Sequence, residues 1–239
     1  MCTVSFIYKG KTDFILTSNR DESISRKTVI PKLYDEGSVL AVYPKDMVAG
    51  GTWIGASSQK RVLCLLNGAF EKHTREASYK KSRGVIVKEL LAVVDVEQEI
   101  RDYNFNHIEP FTLVVADWNV ELKLIELIWD GANVQITNLP LKSKIWSSST
   151  LYNNDIKVLR EKWFSEFLSQ NGSSKDELFY FHEYYGMGDS MLDMKIDRGL
   201  LKTVSITQYE KEGENVWVVY KDLLSTELSY IQFNINKKN

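Results

Sequence analysis

The distribution of apolar and polar residues predicts a strand-rich chain with two helical interruptions. Cys2 to Tyr8 and Asp13 to Ser18 are rich in β-branched and aromatic residues and flank Lys9-Gly10-Lys11, the pattern of a β-hairpin. Glu22 to Ile30 is polar and runs into Pro31, which predicts a loop leaving the sheet edge. Apolar runs at Val39 to Tyr43, Thr52 to Ala56 and Val62 to Leu66 continue the sheet, punctuated by Gly50-Gly51 and Ser57-Ser58-Gln59-Lys60.

After Asn67-Gly68-Ala69 the period changes. Val85, Ile86, Leu90, Leu91 and Val94 recur at helical spacing within Ser82 to Val94, and Val96 to Tyr103 predicts a second short helix. Phe111 to Ala116, Leu122 to Ile128 and Asn133 to Thr137 return to strand as a three-stranded meander, and Ile145 to Ser149 adds an extended segment. Ile156, Leu159, Trp163, Phe164, Phe167 and Leu168 form a broad helical stripe over Asn154 to Leu168, with Gly172 as its cap. A helix from Lys175 to Tyr185, N-capped by Ser174, and a closing hairpin of Leu200 to Tyr209 with Asn215 to Tyr220 complete the chain. This order lacks the βα alternation of a doubly wound parallel sheet. It predicts an α+β fold in which two antiparallel sheets pack together with helices outside, as one domain over residues 1–239.

Composition narrows the function classes. Of 239 residues, 44% are hydrophobic and 26% charged, with a net charge of -2. Scattered basic residues give no footprint for nucleic acid, and no apolar run reaches the ~20 residues of a membrane helix. The expected partner is a small-molecule ligand or substrate, with no nucleic acid and no membrane insertion; the sequence leaves the oligomeric state open. Cys2 and Cys64, without a secretory segment ahead of the first strand, argue for a reducing cytoplasmic setting. His73, His107 and His182 lack metal-ligand spacing, so neither a metal nor a cofactor is expected.

The hairpin carries the first candidate chemistry: by composition alone Cys2 reads as a buried small hydrophobe, but its place beside the start of the chain changes that. Removal of Met1 would free the Cys2 α-amine, whose pKa of ~7.7–8 suits it to accept a proton from a thiol of pKa ~8.5. Strand pairing would bring Cys2 to Asn19-Arg20-Asp21-Glu22, where Arg20 can lower the thiol pKa and Asp21 can receive the amine or orient Arg20. Alone, that tetrapeptide reads better as a solvated polar turn with an incidental ion pair; together with Cys2 the site reading competes. Gly50-Gly51-Thr52-Trp53-Ile54-Gly55 reads as a pocket wall or a bulged strand. Asn67, at a strand end, is placed either to donate to an oxyanion or to form an Asn-Gly turn. Arg83 fits an anionic substrate group or an exposed helix position.

Met1-Cys2, Ser18-Asn19-Arg20-Asp21-Glu22, Gly50-Gly51-Thr52-Trp53-Ile54-Gly55 and Leu65-Leu66-Asn67, in this order, resemble the NRDE family, relatives of the transport and Golgi organisation protein. The resemblance extends to N-terminal-nucleophile hydrolases and implies a four-layer αββα sandwich. It implies Cys2 as nucleophile, Arg20 and Asp21 as its supporting pair and Asn67 as oxyanion donor; Asn19, Trp53, Arg83 and Ser148 are the candidate substrate contacts. The implied activity is amidohydrolysis of a C–N bond in a small molecule. The alternative is a non-catalytic binding or trafficking protein for a haem or lipid-type ligand. Two positions depart from the pattern: Ser147-Ser148-Ser149 where relatives carry Ser-Asn-Ser, and Thr203-Val204-Ser205 where Thr-Arg-Ser is common.

Overall fold

A computed structural model describes residues 2–37, 39–171 and 173–235, with the side chains of Cys2 and Asn171 outside the described set. The chain opens with β1 (Cys2–Gly10), β2 (Asp13–Ser23), β3 (Thr28–Glu36), β4 (Val39–Asp46), β5 (Ile54–Ser57) and β6 (Arg61–Asn67). Helices α1 (Arg83–Ala92) and α2 (Val96–Asp102) precede β7 (Phe111–Asp117), β8 (Lys123–Trp129), β9 (Val134–Leu139) and β10 (Lys144–Ser147). Then come α3 (Asn154–Asn171), α4 (Lys175–Tyr184), the short β11 (Asp197–Arg198), β12 (Leu201–Glu212), β13 (Asn215–Asp222) and β14 (Leu228–Asn234).

Two antiparallel sheets form the centre. One runs β10-β1-β2-β12-β13-β14, with β11 attached to β12; the other runs β3 through β9 in sequence order. Helix α1 packs on β4, β5 and β6, whereas α3 and α4 pack on β10, β2 and β12 of the first sheet, which yields four layers, αββα. Strands β1 and β2 are therefore covered on both faces. Val4, Phe6, Phe14 and Leu16 enter the inter-sheet core, and the alternate residues Ile7 and Ile15 meet Trp163, Phe164, Phe167 and Phe181 beneath the helices.

Local chemistry explains the boundaries. Gly10 and Lys11 take positive φ (97° and 51°) at the tip of the first hairpin, where glycine costs least. Asp95 caps α2 by accepting from the Gln98 N–H, and Ser174 caps α4 by accepting from the Glu177 N–H. The expected Gly172 cap lies outside the described residues. Among the described residues, no helix is long and apolar enough to cross a membrane.

Three expectations need correction. Glu22 to Ile30 is not a loop: β2 continues to Ser23 and β3 begins at Thr28. Pro31 is tolerated because β3 is a sheet edge whose register shifts between Val29 and Lys32, so no ladder N–H is needed there. The strand expected from Thr52 starts at Ile54. The closing hairpin is instead a three-stranded unit, since Leu228–Asn234 pairs with β13 as the sheet edge.

Candidate active site

The register of β1 and β2 sets Cys2 opposite Arg20, and that of β2 and β12 sets Ser205 opposite Arg20, so one row crosses three strands. Cross-strand partners share a sheet face, and consecutive residues alternate. The tetrapeptide from Asn19 to Glu22 is therefore two-sided. Arg20 and Glu22 belong to the cleft side, while Asn19 and Asp21 belong to the face beneath α3 and α4.

On the cleft side, Arg20 is 3% exposed and pairs with Asp46 at the end of β4. Its Nη1 donates to the Arg26 carbonyl at 3.1 Å and to Thr28 Oγ1 at 2.8 Å, and its guanidinium lies 4.4 Å from the Trp53 ring. Asp46 also accepts from Arg26 Nε at 2.7 Å and from the Val48 and Ala49 N–H groups at 3.0 and 2.8 Å. Burial pushes the Asp46 carboxyl up, but the Ala49 N–H, Arg26 and Arg20 outweigh it and hold the group below the usual carboxylate range.

The glycines around Trp53 serve close approach. A Cβ on Gly51 would sit 2.3 Å from the Gly84 carbonyl carbon, and the Thr52 N–H donates to the Gly84 carbonyl at 3.0 Å. This contact seats the start of α1 against the residues ahead of β5 and delivers Arg83 to the cleft. There Arg83 donates to the Pro110 carbonyl at 2.9 Å and pairs with Glu109 at 3.0 Å; burial lowers its pKa to about 10 against the opposing pull of Glu109.

Asn67 ends β6. The following Gly68 has φ +83° and would place a Cβ 2.3 Å from Ser149 Oγ, so glycine is required on both counts. Ser148 donates to the Asn67 carbonyl at 2.6 Å and thereby joins the turn after β10 to the end of β6. Ser148 is thus engaged by backbone. The Asn67 side chain makes no hydrogen bond among the described residues and lines the cleft.

That cleft, of about 810 Å³, is walled by most of the residues between Lys72 and Arg83 together with Glu22, Arg26, Asn67, Glu109 and Thr150. A recess of about 70 Å³ below it is lined by Arg20, Asp46, Trp53, Asn67, Arg83 and Gly84 among others. Glu22, Arg26, Ala49, Asn67, Ser82 and Arg83 line both.

Asp21 faces the other way. It is fully buried, accepts from Tyr152 Oη and Thr203 Oγ1, each at 2.6 Å, and feels the nearby Arg160, which itself donates to Thr3 Oγ1. Burial raises its carboxyl above the ordinary carboxylate value despite Arg160, Thr203 and Tyr152. The expected orienting of Arg20 by Asp21 is corrected by strand alternation: Asp46 holds Arg20. Asn19, expected at the substrate, likewise faces the helices, where its amide bonds His182 and the Met194 carbonyl.

The structure thus gathers Arg20, Trp53, Asn67 and Arg83 at one recess, with the Cys2 position opposite Arg20 and its thiol outside the described side chains. Sequence reading missed Asp46, Arg26, Glu109, Tyr152 and Arg160. Asp46, Glu109, Tyr152 and Arg160 are distant in sequence from their partners, and Arg26, although four residues from Glu22, meets Asp46 only through the fold, so the signal exists only in three dimensions. Among the described residues, no group of three or more His, Cys, Asp or Glu side chains is arranged to hold a metal.

The two packed antiparallel sheets between helical layers, with a cysteine opening the first strand, have the fold of the N-terminal-nucleophile hydrolases. The chain belongs to the Transport and Golgi organisation 2 family, whose model matches residues 1–227. Similar solved structures include a variant of conjugated bile acid hydrolase from Clostridium perfringens (TM-score 0.61, 12% identity, 100% of this chain and 94% of that one). The Caenorhabditis elegans ortholog of N-acylethanolamine-hydrolyzing acid amidase is also similar (TM-score 0.59, 12% identity, 87% and 92% covered). So is penicillin V acylase from Agrobacterium tumefaciens (TM-score 0.54, 10% identity, 98% and 86%). No curated protein sequence matches the chain.

Proposed function

We propose that this protein is an N-terminal-nucleophile cysteine amidohydrolase acting on a C–N amide bond of a small molecule, with Cys2 as nucleophile. One observation carries the reading: the Cys2 position faces Arg20 across the first hairpin, beside a recess lined by Asn67, whose amide makes no hydrogen bond among the described residues. The similarity in fold to amide-cleaving hydrolases supports it.

In this reading the Cys2 α-amine takes the thiol proton, and the thiolate forms a C–S bond to the amide carbonyl carbon. The C–N bond then breaks, the amine leaving with that proton, and a thioester remains. Asn67 donates to the oxyanion. Water, deprotonated by the α-amine, adds to the thioester and releases the acid and the thiol. Arg20 contributes a fixed positive charge that favours thiolate over thiol, held in place by Asp46 and Trp53. Trp53 and Arg83 contact the substrate.

The mechanism requires that Cys2 be the mature N-terminus, because an acylated nitrogen has no basic lone pair. The N-terminal peptide of protein isolated from its native host is expected to begin at Cys2; retention of Met1 would contradict self-activation. A second reading, a non-catalytic binding protein, draws on Ser148, which occupies its hydroxyl with the Asn67 carbonyl instead of offering a second amide donor. Ligand binding that survives Cys2→Ala, with no covalent adduct in the parent chain, would favour it.

A further inference from the structure

The hydrogen bonds of Asn19 place a proton on Nδ1 of a buried histidine. Asn19 Nδ2 spends both protons, on the His182 carbonyl at 2.9 Å and the Met194 carbonyl at 2.7 Å. The other end of the amide is therefore oxygen, and His182 Nδ1, 2.7 Å from Asn19 Oδ1, must be the donor. Burial and the nearby Arg160 favour the neutral ring, so Nε2 carries a lone pair and accepts from the Ser5 hydroxyl at 2.7 Å. All three side chains are fully buried. The bonds tie β1 through Ser5 and β2 through Asn19 to the last turn of α4 and to the segment carrying Met194.

We infer that Asn19 and His182 are positioning residues for the nucleophile, a clamp that fixes the pairing of the two strands carrying Cys2 and Arg20. The inference rests on the hydrolase reading for its functional meaning, but the clamp itself is geometric. Thr3 faces Asn19 in the register and Cys2 faces Arg20 one residue on, so a slip or splay at Asn19 displaces Cys2 from the guanidinium. Within the Asn19 to Glu22 segment the division of labour is then clear. Arg20 and Glu22 face the cleft, and Asn19 anchors the strand from behind.

His182→Phe keeps a planar ring and strands the Asn19 oxygen and the Ser5 hydroxyl; His182→Asn puts an amide N–H where Nδ1 stood and keeps the donor for Asn19. The test is alkylation by iodoacetamide at pH 7, followed by intact mass and peptide mapping, with Cys2 and the fully buried Cys64 read separately. Cys64 reports general opening of the fold. A positioning role predicts that Cys2 alkylation slows about tenfold in His182→Phe and returns to within about threefold of the parent in His182→Asn, a tenfold change being about 1.4 kcal/mol. Cys64 stays unlabelled throughout. Where His182→Phe fails to fold, Asn19→Ser, which replaces the amide with a hydroxyl too short to reach His182, gives the same comparison. An unchanged Cys2 rate, or joint acceleration of both cysteines that asparagine does not reverse, overturns the clamp. If the parent chain forms no acyl adduct with an activated amide, the hydrolase reading falls, while the alkylation comparison still decides the clamp.

Discussion

Arg20 on β2 and Asp46 at the end of β4 form an ion pair that joins the two sheets at the base of the cleft, with side-chain exposures of 4% and 8%. Asp46 also holds Arg26 and the turn at Val48 and Ala49, so it organises one wall of the recess. Removing one partner of a buried pair leaves an uncompensated charge, a cost of about 3–5 kcal/mol. Asp46→Ala is expected to lose that much stability in urea denaturation. The paired change Asp46→Ala with Arg20→Met should recover part of the loss.

The close approach of Gly51 and Gly84 gives a second prediction. A methyl at position 51 would meet backbone atoms of α1, which cannot rotate away. Gly51→Ala is expected to cost about 1–3 kcal/mol by thermal or urea unfolding and to shift Arg83 away from Glu109 and the Pro110 carbonyl. Gly50→Ala meets no neighbouring atom; its cost is confined to the strain of a positive φ of 70°.

The parts of the sequence with a period were legible, and those with only a partner were not. Two antiparallel sheets, the first hairpin and the helices over Arg83–Ala92 and Lys175–Tyr184 follow from alternation, helical stripes and the Ser174 cap. Pro31 hid β3, because a proline reads as a breaker unless the strand is known to be an edge. Strand β14 (Leu228–Asn234) alternates weakly and lies at the sheet edge, so it offered little signal. In the candidate site, Cys2, Arg20, Trp53, Asn67 and Arg83 were legible as residues, whereas the sidedness of Asn19 to Glu22 was not. A polar tetrapeptide looks like a turn until the strand is seen to continue through it, and only then does alternation separate Arg20 from Asp21.

His182 makes acid stability testable. Burial, followed by the nearby Arg160, lowers its pKa from 6.5 to about 3 in the folded chain. The unfolded chain thus binds more protons between those values, so stability falls as pH drops through that window and is whole above about pH 6.5. Asp21, raised by burial, acts with the opposite sign, its contribution being lost as pH rises. Glutamine does not titrate, so the stability difference between the parent and His182→Gln is expected to narrow between pH 7 and pH 4, at up to about 1.4 kcal/mol per pH unit. A constant difference would show that His182 is not held neutral.

Asp21 depends on its two hydroxyl donors. Tyr152→Phe leaves one carboxylate oxygen short of a partner in a fully buried site, which is expected to cost about 1–3 kcal/mol by thermal unfolding. The cost should be smaller in an Asp21→Asn background, where less charge is left unpaired.

The claim that Cys2 is a nucleophile facing Arg20 and Asn67 is tested most directly by intact-protein mass after brief exposure to an activated amide, quenched in acid to preserve a thioester. The account predicts a single acyl adduct mapped to Cys2, absent in Cys2→Ala and formed at least about tenfold more slowly in Asn67→Ala, the loss typical of one oxyanion donor being 10²–10³. An adduct that persists in Cys2→Ala, or none in a chain shown to begin at Cys2, would contradict it.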